Sequence, residues 1–398
     1  MTSNKNTSGW VVTSAALGVN LLLGLLYAWG VFKKALVIEW GWSNTAASVP
    51  YTVSAAVFAF FMIFAGKLQD RIGPRYVVLL GGLLFGTGLI TSGYVNSPQI
   101  MALTFGVIGG IGLGLGYSAT TPCAIKWFDS SKKGVISGIV VSGVGLAPVY
   151  IAPLTNHLIT RFGIQQTFII LGIIAFVFIS FFALLLKNPP DGHIPKGYIQ
   201  PKVVAREFTW KDMLKTKQFK LLWLAYLLTA TAGLMLIAHI ASIALTQAEW
   251  QGGYILIVIL SVFNALGRVA AGFLSDIIGR TRAMVLVFLL QAINMFIFTF
   301  YTSIPLLIAG TAVAGLSYGA LFSLFPSTTA DFFGLKNLGV NYGLVFTGWG
   351  IAGIVGPILG GRVADITGTY TFSYIVAGIL LLAGIVMVQV LRAPKKEK

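Results

Sequence analysis

Charge is what this sequence has least of. Only 10% of its 398 residues are Asp, Glu, Lys or Arg, and acids are the scarcer sign, 11 against 27 bases. A chain so poor in charge and 57% hydrophobic, with a mean hydropathy of +0.87, cannot hide its apolar surface inside a water-facing globule, so a bilayer must be its solvent. One cysteine, Cys123, excludes an internal disulfide and a thiolate metal cluster. The three histidines, His157, His193 and His239, are scattered and give no metal-ligand spacing. With no phosphate-binding loop and no nucleophile paired to a base, an enzyme is not expected, and neither is a cofactor. The glycine run Gly109 to Gly116 lies inside an apolar stretch with no strand before it, so it reads as a seam for close helix packing rather than a dinucleotide loop.

Long apolar runs fill the chain instead, each able to cross a hydrocarbon layer of roughly 30 Å as a helix. Twelve spans are predicted, at 10–32, 45–68, 75–95, 99–126, 134–158, 164–186, 219–247, 252–276, 283–302, 305–325, 338–362 and 370–391. The first is too long for a signal-peptide core and no small-residue cleavage site follows it promptly, so it is expected to stay as a membrane helix. The net charge of +16 does not point to nucleic acid, because the bases sit in short loops rather than along one amphipathic face. Topology accounts for them. With both termini inside, the inner segments carry Lys5; Lys67, Arg71 and Arg75; Lys126, Lys132 and Lys133; eight bases between Lys187 and Lys220; Arg280 and Arg282; Lys336; and Arg392, Lys395, Lys396 and Lys398. The outer side and helix ends keep Lys33, Lys34, Arg161 and Arg362, a bias that predicts cytoplasmic termini in a plasma or inner membrane.

The chain also repeats itself. Gly134-Val135-Ile136-Ser137-Gly138 through Ala147 lies over Gly339-Val340-Asn341-Tyr342-Gly343 through Ala352 with glycines in register at an offset of 205, and Gly66, Asp70 and Gly73 recur as Gly272, Asp276 and Gly279 at 206. Two six-span halves, 1–186 and 219–398, are therefore expected around a polar linker, 187–218, that holds Pro189-Pro190 and Pro195. Such a parallel repeat places a substrate site near mid-membrane between its halves.

Gly66-Lys67-Leu68-Gln69-Asp70-Arg71-Ile72-Gly73-Pro74-Arg75, echoed by Gly272-Phe273-Leu274-Ser275-Asp276-Ile277-Ile278-Gly279-Arg280, resembles the loop motif of the major facilitator superfamily. The resemblance implies an all-α membrane fold of twelve transmembrane helices in two pseudo-symmetric six-helix bundles. An acid at an inner helix end beside arginines and a turn glycine can form a charge-assisted latch, so Asp70, Arg71, Asp276 and Arg280 are gating candidates, or else plain helix caps. A narrower resemblance covers most of the chain. Asp212 to Phe219, Asn264-Ala265-Leu266-Gly267-Arg268, Leu324 to Asp331 and Asn341-Tyr342-Gly343 are similar to the bacterial oxalate/formate exchanger family, and Gly145-Leu146-Ala147-Pro148 and Gly30 to Lys34 to the related monocarboxylate transporters. Both imply organic anions.

Arg268 is the expected anion site. It lies about ten residues before the inner end of the eighth span, near mid-membrane. An arginine there costs about 2.5 to 3.5 kcal/mol on insertion scales, so it must face a watery cavity or a partner. Its planar fork suits a carboxylate, and the nearest acid on its span is Asp276, two turns away. Asn264, one turn earlier on the same face, can orient the guanidinium. By resemblance, the animal monocarboxylate transporters have an aspartate at that place, and oxalate carriers have a lysine where this chain has Trp349. One buried cation suits one carboxylate, which favours a monocarboxylate such as lactate, pyruvate, acetate or propionate. Tyr117, Tyr318, Phe322, Phe346 and Leu146 are candidates to line the pocket or, equally, to pack between helices.

The expected activity is secondary transport by alternating access, proton-coupled, as a monomer; anion exchange is the alternative, and a non-transporting anion sensor belongs to a different class. Arginine does not give up its proton in proteins, and asparagine does not titrate. A histidine, with an ordinary pKa of about 6.5, responds near neutral pH, which makes His239 in the seventh span the proton-coupling candidate, or a hydrogen-bonded packing residue.

Overall fold

The computed structural model describes residues 5–190, 193 and 207–392. Residues 191, 192 and 194–206 of the expected linker and the terminal Lys395, Lys396 and Lys398 lie outside these residues. The described elements are α1 (Lys5–Leu23), a 3-10 turn (Gly24–Ala28), α2 (Trp29–Glu39), α3 (Asn44–Ile72), α4 (Pro74–Ser92), α5 (Pro98–Met101), a π-helical stretch (Ala102–Gly109), α6 (Gly110–Ile125), a 3-10 turn (Ser130–Lys132), α7 (Lys133–Leu185), α8 (Trp210–Lys215), α9 (Lys217–Ala248), α10 (Tyr254–Ile278), α11 (Arg280–Phe298), α12 (Ile304–Phe333), α13 (Leu338–Thr367) and α14 (Thr371–Val390). Among the described residues there is no strand.

Eleven continuous stretches are long and apolar enough to cross a membrane. One of them, the 53 residues of α7, would run roughly 80 Å as a straight helix, far beyond a hydrocarbon core of about 30 Å. Gly163, at φ 80 and ψ 171, breaks it into two passes, so the stretches make twelve. The sequence places a loop between the fifth and sixth spans; the backbone turns there on this single residue, and helical segments run up to it on both sides. The first span is likewise longer than expected, reaching Glu39 through the 3-10 turn. Local chemistry sets other ends. Ser43 caps α3 by accepting from Ala46 N–H at 3.1 Å, and Thr216 caps α9 by accepting from Phe219 N–H at 3.1 Å.

The chain gathers into two compact units. One comprises Met1–Asp129, Gly143–Gln200 and Lys336–Gly343; the other comprises Ser130–Ser142, Pro201–Leu335 and Leu344–Lys398. In the first unit the glycine run is a packing seam: a Cβ on Gly112 would lie 2.7 Å from the Gly81 carbonyl, so α4 and α6 meet backbone to backbone. In the second unit the same device joins α10 to α12, where a Cβ on Gly267 would strike the Leu316 carbonyl and one on Gly319 the Asn264 carbonyl. The Ser130–Ser142 segment closes on α10 in the same way, Gly134 against Gly272 and Gly138 against the Arg268 carbonyl. These approaches bring the start of α7 and the middle of α12 against α10 in the region of Arg268.

Candidate functional site

Arg268 sits a little past the middle of α10, about 15 Å from its end at Ile278, and is fully buried at 0% exposure. Its Nε donates to Asn264 Oδ1 at 2.8 Å, one helical turn back. Its Nη1 donates to the backbone carbonyl of Val141 on α7. Nη2 is buried with no hydrogen-bond partner among the described residues, and no carboxylate pairs with the guanidinium there either. The ring of Phe322 covers one face of the group, with Cζ 4.2 Å from the ring centroid. The guanidinium is thus enclosed by packing and two neutral acceptors, so that of the two surroundings expected from the sequence, a watery cavity or a partner, it has the partner.

An aromatic wall continues from that ring. Tyr318, one turn before Phe322 on α12, meets it edge-on at 5.3 Å, and Trp349 Nε1 donates to the Tyr318 hydroxyl at 2.8 Å. Phe346 lies 4.8 Å from Trp349 and 6.4 Å from Phe322. Asn264, Arg268, Tyr318, Phe322, Phe346 and Trp349 therefore form one cluster inside the second unit, because the glycines of α10 and α12 let those helices touch. Tyr117 and Leu146 belong to the first unit. Tyr117 is buried with its ring edge-on to Phe58 at 5.6 Å, and Leu146 is 38% exposed. His239 is half-buried on α9, its Nε2 2.9 Å from the Pro357 carbonyl and its ring 5.4 Å from Tyr370. A carbonyl only accepts, so Nε2 carries the hydrogen in this contact.

The two acids of the repeated motif have matching surroundings. In the second unit, Asp276 accepts from the N–H groups of Gly134 at 2.9 Å and Val135 at 2.8 Å, at the start of α7. In the first unit, Asp70 accepts from Gly339 at 3.4 Å and Val340 at 3.1 Å, at the start of α13. Each carboxylate occupies the electropositive end of a helix, where unpaired N–H groups favour an anion. Arg280 donates to Asp276 at 2.5 Å and to Asp331 at 2.8 Å, and Lys133 reaches Asp331 at 2.9 Å. Asp70 has Lys126 at 3.9 Å, while Arg71 is exposed and makes no ion pair among the described residues. Three members of these arrangements had no site role in the sequence reading: Asp331, Lys133 and the Val141 carbonyl. Asp331 was findable as one of so few acids; a backbone acceptor leaves no side-chain signal beyond the Gly134 and Gly138 that admit it.

The sequence model of the Major Facilitator Superfamily matches residues 10–267 and 234–398. Among characterised relatives, the oxalate:formate antiporter of Oxalobacter formigenes is 29% identical over 91% of this chain and 86% of that protein. Monocarboxylate transporter 13 of Rattus norvegicus is 25% identical over 94% of this chain and 87% of its own length. The crystal structure of the fucose:proton symporter of Escherichia coli superposes with a TM-score of 0.73 over 97% of this chain and 99% of that one, at 12% identity, a likeness of fold alone.

Proposed function

Because the chain belongs to the Major Facilitator Superfamily, and is a multi-pass membrane transporter rather than an enzyme, we propose that it carries one small monocarboxylate per cycle at Arg268 by alternating access. One observation carries this reading: a fully buried guanidinium that has, among the described residues, neither a carboxylate counter-ion nor a partner for Nη2. A buried cation left in that state lacks an anion's oxygens, and a planar fork is the donor best matched to a carboxylate. The aromatic wall of Tyr318, Phe322, Phe346 and Trp349 limits the volume beside it and offers no second cation, so lactate, pyruvate, acetate and propionate suit the site better than a dicarboxylate. In this reading Tyr117 and Leu146 are further substrate contacts, Asp70, Arg71, Asp276 and Arg280 govern gating, and the halves 1–186 and 219–398 alternate the access of the site. Proton symport through His239, in a monomer with cytoplasmic termini in a plasma or inner membrane, completes the proposal.

Anion exchange is the second reading, favoured by the neutral Asn264 and by the likeness to an oxalate:formate antiporter. Purified protein in liposomes, offered a panel of labelled mono- and dicarboxylates with and without internal anion, tests both. Uptake of monocarboxylates into anion-free vesicles is expected; uptake only against internal anion selects exchange, and no uptake of any acid removes the carboxylate reading.

A further inference from the structure

Nη2 is the nitrogen of Arg268 with no acceptor among the described residues, so each two-nitrogen face of the fork includes one nitrogen that already has an acceptor. A side-on approach needs Nε, which Asn264 holds, and an end-on approach needs Nη1, which the Val141 carbonyl holds; Nη2 serves either. With the guanidinium at 0% exposure and Phe322 over its face, an incoming anion must take the place of one acceptor. The two are not equivalent. Asn264 moves with Arg268 on α10, and its Oδ1 makes no other hydrogen bond among the described residues, so displacement would leave it unsatisfied. Val141 lies within the continuous helix α7, where its carbonyl has the amide four residues on as its regular partner. Its displacement orphans nothing. A carboxylate is also the stronger acceptor, since it brings a full negative charge and two oxygens that match the fork, where a carbonyl brings one neutral oxygen.

We infer that the cargo carboxylate binds end-on across Nη1 and Nη2 of Arg268, displaces the Val141 carbonyl, and thereby frees the Ser130–Ser142 segment of α7 from α10. The inference rests on the monocarboxylate reading of Arg268 and adds how occupancy of that residue is felt elsewhere. Below Val141 this segment is held to α10 by the close approaches of Gly138 and Gly134 and by the two N–H groups on Asp276. Loss of the topmost contact lengthens the unsupported end and lowers the barrier to releasing the rest.

Ser137 reports the event. It falls on the same face as Gly134 and Val141 by helical spacing, is 0% exposed, and its Oγ has no partner among the described residues. With Cys123 replaced by serine, Ser137→Cys carries one buried thiol, whose rate of maleimide labelling is read in liposomes with saturating acetate, with acetamide and with neither. Acetate binding is followed in parallel by thermal stabilisation. Acetate is expected to speed labelling at least about fivefold, acetamide to leave it unchanged, and Arg268→Lys to abolish the acetate effect. Hydrogen exchange of residues 134–142 in the unsubstituted chain gives the same reading without a cysteine, as faster exchange in acetate. Acetate that stabilises the protein while labelling and exchange stay unchanged or slow overturns the displacement alone, as does an equal response to acetamide. If acetate, lactate, pyruvate and propionate all fail to stabilise the unsubstituted protein, the monocarboxylate reading falls and takes this inference with it.

Discussion

A single side chain separates a membrane helix that only packs from one that can bind an anion. Lysine in place of Arg268 retains a cation but offers a point charge where the structure uses a fork that reaches Asn264 and Val141 and leaves Nη2 without a partner among the described residues. Charged hydrogen bonds contribute about 1.5 to 3 kcal/mol each, so Arg268→Lys is expected to lower kcat/KM for acetate or lactate about 10- to 100-fold at normal membrane expression; unchanged uptake would reject Arg268 as the anion site. Selectivity is a matter of the same scale. Trp349 reaches the cluster through its bond to the Tyr318 hydroxyl, so Trp349→Lys places a second cation beside the first. Oxalate should then gain on acetate in competition by about tenfold or more, worth ~1.4 kcal/mol, and no relative gain would count against a single-cation basis for discrimination. The identity of these side chains, and the register of Asn264 with Arg268, were legible in the sequence because a polar residue in an apolar span advertises itself. The Val141 carbonyl was not, since every residue has one and only the approach of two helices selects it.

At the scale of elements, the repeated motif ties a helix end to a helix start in each unit. The glycine pairs that fall in register, Gly134-Val135 and Gly339-Val340, are the very amides that face Asp276 and Asp70. The sequence showed the acids and the glycines as separate repeats; it could not show that they meet, because they lie far apart along the chain. Nor did hydropathy reveal the π-helical Ala102–Gly109 or the turn at Gly163, which change backbone geometry without changing composition. Replacing Asp276 by asparagine removes a charge from Arg280 and turns one acceptor into a donor facing an N–H group. A carboxylate at a helix start contributes about 0.3 to 1 kcal/mol, up to ~2 when partly buried. Asp276→Asn is therefore expected to lower the melting temperature of the solubilised protein by a few degrees and shift its conformational balance, while acetate affinity stays within about threefold. Complete loss of affinity in folded protein would contradict a gating role.

On the scale of the whole molecule, twelve passes were legible from apolar run length, whereas the composition of the compact units was not. Hydropathy says where a helix lies and nothing about which neighbours its last two turns touch, so the grouping of Ser130–Ser142 with α10 and of Lys336–Gly343 with α3 has no trace in a span plot. Energy coupling is also a property of the entire cycle. Arginine and asparagine hold no exchangeable charge in the working range, so a symporter must load its proton elsewhere. His239 has Nε2 committed to the Pro357 carbonyl and lies on a helix distinct from the one bearing Arg268. Glutamine at this position can keep the bond to that carbonyl through its amide but cannot take up a proton. His239→Gln is therefore expected to cut acetate accumulation driven by an imposed pH gradient about tenfold while exchange of internal for external acetate falls less than about threefold, both measured in the same liposomes. Equal loss of accumulation and exchange would make His239 a packing residue, and normal accumulation in the variant would move the proton to another group. Accumulation by the unsubstituted protein that ignores the gradient would reject symport itself and leave exchange as the mode of transport.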